Sequence, residues 1–306
     1  MNKLQIESFK YGGDVLIKEP LITIGMPVFN GEVSLAFAIE SFRNQTFSDF
    51  ELIISDNCST DRTRDICTYY AELDTRIRYI RQAQNLGASQ NFRAVLNQAR
   101  GKYFTWAAAD DVRSLDFIEI NVHFLEENHD YVASTSPNRF EGEKNQSGPW
   151  IKFDIKGEFE DRVMKFMNNC WESHAIFYSV MRTNTISKCE ILGESFLGFD
   201  WAINLFLIQQ GQINRTTCGQ LIFGNKGMSN SGNRWRMFRN SMLSWPLPFY
   251  RFSFFALRIT AGCELVWRLK LLSHLLNLNL KTSNQQLNAE LYSLYLKFLR
   301  PRLRRK

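Results

Sequence analysis

Over its first 137 residues the chain alternates between two hydrophobic rhythms. Short apolar runs, suited to strands, fall at Leu21–Met26, Leu52–Ser55, Ile77–Arg81, Tyr103–Ala107 and Tyr131–Thr135. Between them apolar positions recur at helical spacing over Ser34–Asn44, Asp61–Leu73, Ser89–Ala99 and Leu115–Asn128. Strands separated by helices of this length imply βαβ units and a mostly parallel sheet. Ser59-Thr60-Asp61 supplies cap chemistry for the second helix.

Beyond residue 137 the pattern is mixed. Residues 140–157 are polar and rich in Gly, Lys and Asn, which predicts a hairpin or loop. Asp161–Asn169 reads as a helix, Ala175–Met181 as a strand and Asp200–Gln210 as an amphipathic helix, and 226–233 is a Gly/Ser/Asn loop. From Trp245 to Leu280 the chain is dominated by Phe, Leu and Trp, punctuated by Arg251, Arg258, Arg268 and Lys270, with Glu264 the single acid. A basic, aromatic-rich amphipathic segment of this kind suits the membrane interface. The chain thus divides into an N-terminal extension (1–19), two halves of one α/β unit (20–137 and 138–243) and a helical extension with a basic tail (244–306).

Charge sharpens that reading. The net charge is +6, and Arg300-Pro301-Arg302-Leu303-Arg304-Arg305-Lys306 carries no acid, which points to an anionic partner. No run of about 18 apolar residues marks a membrane-spanning helix. Met1–Pro20 has no apolar core of a signal peptide. Six cysteines without a CxxC pair, and four scattered histidines, argue against a zinc site and fit a reducing compartment. No P-loop and no G-x-G-x-x-G follows a predicted strand. The first strand ends without the acid that a haloacid-dehalogenase nucleophile would require.

Candidate chemistry begins at Asp110-Asp111, where the run Tyr103-Phe104-Thr105-Trp106-Ala107-Ala108-Ala109 stops at two adjacent carboxylates. In an open α/β sheet ligands bind at the carboxyl ends of strands. Paired like charges are relieved by a cation, and oxygen ligands suit Mg²⁺ or Mn²⁺ shared with substrate phosphates. The competing reading is a solvated turn with one Asp capping the next helix.

Six stretches in order give a more specific picture. They are Ile22-Thr23-Ile24-Gly25-Met26-Pro27-Val28-Phe29-Asn30, Ser41-Phe42-Arg43-Asn44-Gln45-Thr46-Phe47, and Glu51 through Asp61 with Ser55-Asp56-Asn57-Cys58-Ser59-Thr60-Asp61 at its end. Asn85-Leu86-Gly87 with Asn91, Ala99-Arg100-Gly101-Lys102-Tyr103, and Asp110-Asp111 complete the set. Over about residues 20 to 137 the chain resembles family 2 glycosyltransferases with the GT-A fold, of the bacterial cell-surface polysaccharide type. The resemblance implies a Rossmann-like, mostly parallel sheet flanked by helices. It implies a nucleotide-sugar donor, with a UDP-sugar favoured, and Mn²⁺ or Mg²⁺ as cofactor.

By the same resemblance Pro27 and Asn30 begin the nucleotide pocket, and Asp56 and Asn57 face the base and ribose. Asn85 and Gly87 form the loop that passes the nucleotide. Asp110 contacts ribose or metal-bound water, and Asp111 ligates the metal. Relatives often carry two acids where this chain has Asp56-Asn57, so the base is left open. Gly198-Phe199-Asp200-Trp201 matches the glycine–acid–helix pattern of the general base, which makes Asp200 the candidate and Glu194 the runner-up. His174 reads as structural. Arg234-Trp235-Arg236 resembles the Arg-Trp of processive synthases, but Ser231 stands where a Gln is expected, so a single-sugar transfer is expected instead.

The implied function is an inverting, metal-dependent transfer of one sugar to a glycan or polyprenyl-linked acceptor. It would take place in the cytoplasm, peripherally on the inner face of the plasma membrane, without nucleic acid. The alternatives are a sugar-phosphate nucleotidyltransferase, whose usual Gly-rich basic loop after the first strand is missing, and a non-catalytic membrane-bound subunit that binds glycan or nucleotide.

Overall fold

The computed structural model describes residues 19–142, 154–225, 238–239 and 241–294. The N-terminal extension, most of the polar segment 140–157, the 226–233 loop, Arg234-Trp235-Arg236 and the basic tail lie outside the described residues.

The first half is a βα alternation: β1 (Ile22–Val28), α1 (Leu35–Arg43), β2 (Phe50–Asp56), α2 (Thr63–Leu73), β3 (Ile77–Arg81), α3 (Ala88–Leu96) and β4 (Tyr103–Trp106). β5 (Val112–Arg113), α4 (Phe117–Glu127), β6 (Tyr131–Thr135) and β7 (Asn138–Phe140) follow. The second half contributes α5 (Phe159–Asn169), a 3-10 turn (Cys170–Glu172), α6 (His174–Phe177), β8 (Val180–Arg182), α7 (Thr183–Ile186), α8 (Phe199–Gln210), β9 (Gln212–Arg215) and β10 (Leu221–Phe223). Two C-terminal helices close the chain, α9 (Tyr250–Ile259) and α10 (Leu265–Leu294).

Seven strands form one sheet in the order β3-β2-β1-β4-β8-β6-β9. β1 runs parallel to both β2 and β4, with Ile24 opposite Leu52 and Thr105. β8 enters antiparallel between β4 and β6. Strands from both halves therefore share this sheet. The central strands are buried on both faces, as parallel strands between helices are. Leu52 and Ile54 face the α1 side, whereas Ile53 faces the opposite core with Val95 and Trp106. Pro27 is tolerated in a central strand because the β1–β4 pairing stops at Gly25↔Trp106, so its missing N–H falls where the ladder has ended.

Two expectations are corrected. Ala175–Met181 is not one strand: α6 occupies His174–Phe177 and β8 begins at Val180. The hydroxyls of Ser173 and Ser179 donate back to the carbonyls of Cys170 and Ile176, each at 2.7 Å, and turn the chain at both ends of α6. A short apolar run does not distinguish a buried helical turn from a strand. The helix at Asp200–Gln210 is not amphipathic either. Trp201, Ala202, Ile203, Asn204, Leu205, Leu207 and Ile208 of α8 are all buried, because helices cover it on more than one side.

The C-terminal helices are docked rather than detached. Trp201 stacks on Phe249 at 5.0 Å and 2° between planes, and Phe252 is fully buried beside them. Burying one such aromatic contributes roughly 1.5–3 kcal/mol. α10 turns Leu271, Leu275 and Leu278 inward, and leaves Leu265, Leu269, Leu272, Leu276 and Leu280 exposed along its outer side. Among the described residues no helix is long and apolar enough to cross a membrane.

Candidate active site

Five of the residues expected at the donor meet at the carboxyl ends of β1–β3, where parallel sheets bind ligands. Asp56 closes β2 and is fully buried. Its Oδ1 accepts the Ser59 N–H at 2.8 Å, and its Oδ2 accepts Arg81 Nη1 at 2.6 Å and the Tyr79 hydroxyl at 3.0 Å. Burial and the Asp56 carboxylate push the Tyr79 phenol up to about 12. Asn57 Oδ1 accepts the Leu86 N–H at 2.8 Å, and its Nδ2 donates to Asn85 Oδ1 at 2.9 Å. The same Asn85 oxygen accepts the Gly87 N–H. Asn30, at φ 52°, donates its N–H to Ser59 Oγ and accepts the Thr60 N–H at 2.9 Å.

Asp56 and Asn57, expected to face the base and ribose, are here engaged within the protein. Both side chains order the loops, and the exposed positions at the rim are Phe29, Asn30, Asn85 and Gly87. Pro27 sits one step back, inside β1.

The acid pair follows the end of β4, and β5 leads away from it. β5 pairs antiparallel with β10, which brings Gly224 beside the acids. Asp111 is 3% exposed, and its Oδ1 accepts the Gly224 N–H at 3.1 Å. A Cβ at position 224 would stand 2.4 Å from the Asp110 carbonyl oxygen and 2.6 Å from its Oδ2, so only glycine fits this approach. Asp110 Oδ2 and Asp111 Oδ2 are both buried without a hydrogen-bond partner. Burial raises Asp111 to about 6, against the opposing pull of Arg113 and the Gly224 N–H, while Asp110 adds to the rise.

Sequence reasoning missed Arg113. Its guanidinium is buried, with Nη1 3.7 Å from Asp111 Oδ2 and Nη2 donating to the Trp106 carbonyl at 3.3 Å. The rings of Phe42, Phe117 and Tyr178 surround it at 5.2, 5.7 and 5.8 Å. The available signal was its spacing: residues i and i+2 of an extended segment share a face, so Arg113 lies on the Asp111 side.

Asp200 stands in the first turn of α8, behind Gly198 at φ 83°. The helix N-terminus favours an anion there, yet burial still raises its carboxyl, with His174 and the N–H groups of Trp201 and Asp200 opposing. Burial lowers His174, while Asp200 and the Trp171 carbonyl act the other way. His174 lies edge-on to Phe140 at 5.7 Å and Phe223 at 6.0 Å, and Tyr178 is 5.8 Å from Phe223. The Tyr178 phenol is raised well above its ordinary value by burial and then by Asp111, Asp110 and Asp200. Glu194 is engaged elsewhere: its carboxylate accepts Arg251 Nη2 at 2.5 Å, in a cleft with Ile191, Phe196 and Phe254.

Two adjacent carboxylates with unpartnered oxygens fit a hard divalent cation whose remaining ligands come from water and phosphate. No group of three or more His, Cys, Asp or Glu side chains forms a closed cage among the described residues. The site suits a cation held jointly with a substrate.

A mostly parallel sheet with acids at its carboxyl edge defines a GT-A-like α/β domain, and solved structures share its fold. Staphylococcus aureus TarS superposes with a TM-score of 0.63 at 17% identity, covering 84% of this chain and 43% of that one. The mannosyltransferase PcManGT from Pyrobaculum calidifontis, solved with GDP-Man and Mn²⁺, gives 0.52 at 12% identity, covering 89% and 75%. The profile of glycosyl transferase family 2 matches residues 23–184, more than half of the chain, and the chain belongs to that family.

Among curated relatives, GlyA of Streptococcus pneumoniae is 34% identical over 177 residues, 58% of this chain and 24% of its own length. TuaG of Bacillus subtilis, a glycosyltransferase assigned to teichuronic acid biosynthesis, is 32% identical over 109 residues, 36% of this chain and 43% of its own length. The matched stretches span less than half the length of these two relatives.

Proposed function

We propose that the chain is an inverting, divalent-cation-dependent glycosyltransferase that moves one sugar from a nucleotide-sugar donor to a glycan or lipid-linked acceptor in cell-surface polysaccharide synthesis. The observation that carries this reading is the adjacent pair Asp110-Asp111 just past the end of β4, each with a buried Oδ2 that finds no hydrogen-bond partner. The family membership, and the relation to TuaG, support it. TarS solved with UDP-GlcNAc and PcManGT solved with GDP-Man support a nucleotide-sugar donor, and the UDP form remains the favoured one.

In this mechanism the loops ordered by Asp56 and Asn57 receive the nucleotide, against Asn30, Asn85 and Gly87. Asp110 and Asp111 would hold Mn²⁺ or Mg²⁺, which when bound neutralises the donor diphosphate and eases its departure. Arg113 keeps Asp111 ionised and in place between donors. Asp200 accepts the proton of the acceptor hydroxyl as it attacks the anomeric carbon. Its raised carboxyl makes it a better base than an ordinary Asp, and the nearby imidazole favours its charged form. Burial beneath the aromatic rings keeps water from competing with the acceptor.

The site also works at a membrane surface in this reading, peripherally on the inner face of the plasma membrane. Support comes from Leu265, Val266, Leu269, Leu276 and Leu280 exposed on α10, with Phe254 exposed on α9 beside Arg251 and Arg258.

A thermal-shift screen of UDP-, GDP- and dTDP-sugars with and without Mn²⁺ tests the core of the proposal. A stabilisation by one nucleotide class that requires Mn²⁺ is expected. No shift with any donor, or a shift indifferent to Mn²⁺, would overturn it.

A further inference from the structure

We infer that Trp171 is the stacking platform of an acceptor subsite, taking the C–H face of a pyranose ring and presenting one of its hydroxyls to Asp200. This rests on the glycosyltransferase reading and names a specificity-determining residue within it. Trp171 lies in the 3-10 turn Cys170–Glu172, three residues before α6 begins at His174. Its side chain is 44% exposed, in a region where the other large rings are mostly covered. It is perpendicular to both Trp201, at 4.7 Å and 88°, and Phe249, at 6.2 Å and 90°. Those two rings are parallel and 5.0 Å apart. These three separations place Trp171 alongside the stack and not on top of it, so the buried pair buttresses one side of the indole and the remainder stays open.

The position of this open ring relative to the base is what gives it a use. Trp201 is the residue after Asp200, and His174, which opens α6 three residues after Trp171, feels the Asp200 charge. An aromatic ring held rigidly by its neighbours provides a large contact area at small entropic cost. A pyranose has one face of C–H groups and a rim of hydroxyls. Stacking would satisfy the face through dispersion and leave the rim free for hydrogen bonds and for proton transfer.

The test is saturation-transfer difference NMR on the full chain with UDP and Mn²⁺, using the methyl glycosides of glucose, galactose, mannose, N-acetylglucosamine, N-acetylgalactosamine and rhamnose as probes. At least one glycoside should receive saturation on the ring protons of a single face. Trp171→Ala should abolish that signal, and Trp171→Phe, which keeps a ring, should retain most of it. Equal saturation in wild type and Trp171→Ala, loss in both variants alike, or no saturation of any glycoside by the wild type would overturn the subsite. Nucleotide binding, followed separately by thermal shift, keeps the two readings apart. A wild type that responds to none of UDP, GDP and dTDP with Mn²⁺ overturns the glycosyltransferase reading, whereas a normal nucleotide response with sugar binding indifferent to Trp171 overturns the subsite alone.

Discussion

The donor rim and the acid centre solve opposite problems at adjacent ends of one sheet. At the rim, Asp56 and Asn57 are buried with their acceptors filled, by Ser59, Tyr79, Arg81 and Leu86. At the acid centre, Asp110 Oδ2, Asp111 Oδ2 and two guanidinium nitrogens of Arg113 are buried without a hydrogen-bond partner. A buried polar atom without a partner costs free energy. A fold that keeps several of them together retains a site whose best partner arrives from outside. The rim is finished by folding, and under the proposed function the acid centre is finished by its ligand.

This contrast can be broken by mutation. The largest effect is expected at Asp200. Asp200→Asn preserves shape and removes the base, so transfer to an acceptor should fall roughly 10²–10⁴-fold, while donor binding measured by titration stays within a few-fold. A collapse of donor affinity would move Asp200 from chemistry to structure. At the rim, Asp56→Ala should unfold more readily, by more than about 1 kcal/mol in denaturant titration, because the Ser59 N–H and the Tyr79 hydroxyl lose their buried acceptor. A loss under 1 kcal/mol would mean that the loops are held by other contacts.

A smaller effect, in pH, sharpens the comparison. Asp111 stands at about 6 in the folded chain against an ordinary 3.8. The folded state therefore holds its proton more tightly than the unfolded state does. Stability conferred by the protonated form is present below about pH 4 and is lost as pH rises towards 6, by up to roughly 3 kcal/mol. Asp111→Asn should flatten that part of the stability–pH curve of the cation-free protein. An unchanged curve would show that Asp111 is not the group responsible.

The donor half of the fold was legible because its signals are local. The runs at Ile77–Arg81 and Tyr131–Thr135 become strands with those bounds, and each helix between Ser34 and Asn128 falls within a few residues of its pattern. Its connections are short, so sequence neighbours become spatial neighbours. The acid centre was only partly legible. Asp110-Asp111 and Asp200 announce themselves through a strand end and a glycine–acid–helix pattern. The surroundings of these acids depend on β8 running antiparallel between β4 and β6, and on β10 returning to β5. Those pairings join residues far apart in the chain, and the apolar run that hides α6 and β8 carries no period to separate them. Arg113 was invisible for a related reason: a buried cation looks like a surface charge until the rings of Phe42, Phe117 and Tyr178 are placed around it.

The central claim is that Asp111 serves the cation and donor while Asp200 serves the acceptor, within one reaction centre. Electron paramagnetic resonance of Mn²⁺ with UDP tests it directly, on the wild type, Asp111→Ala and Asp200→Asn. The account predicts bound Mn²⁺ for the wild type and for Asp200→Asn, and none for Asp111→Ala at the same concentrations. Undiminished Mn²⁺ binding by Asp111→Ala, or its loss in Asp200→Asn, would contradict it.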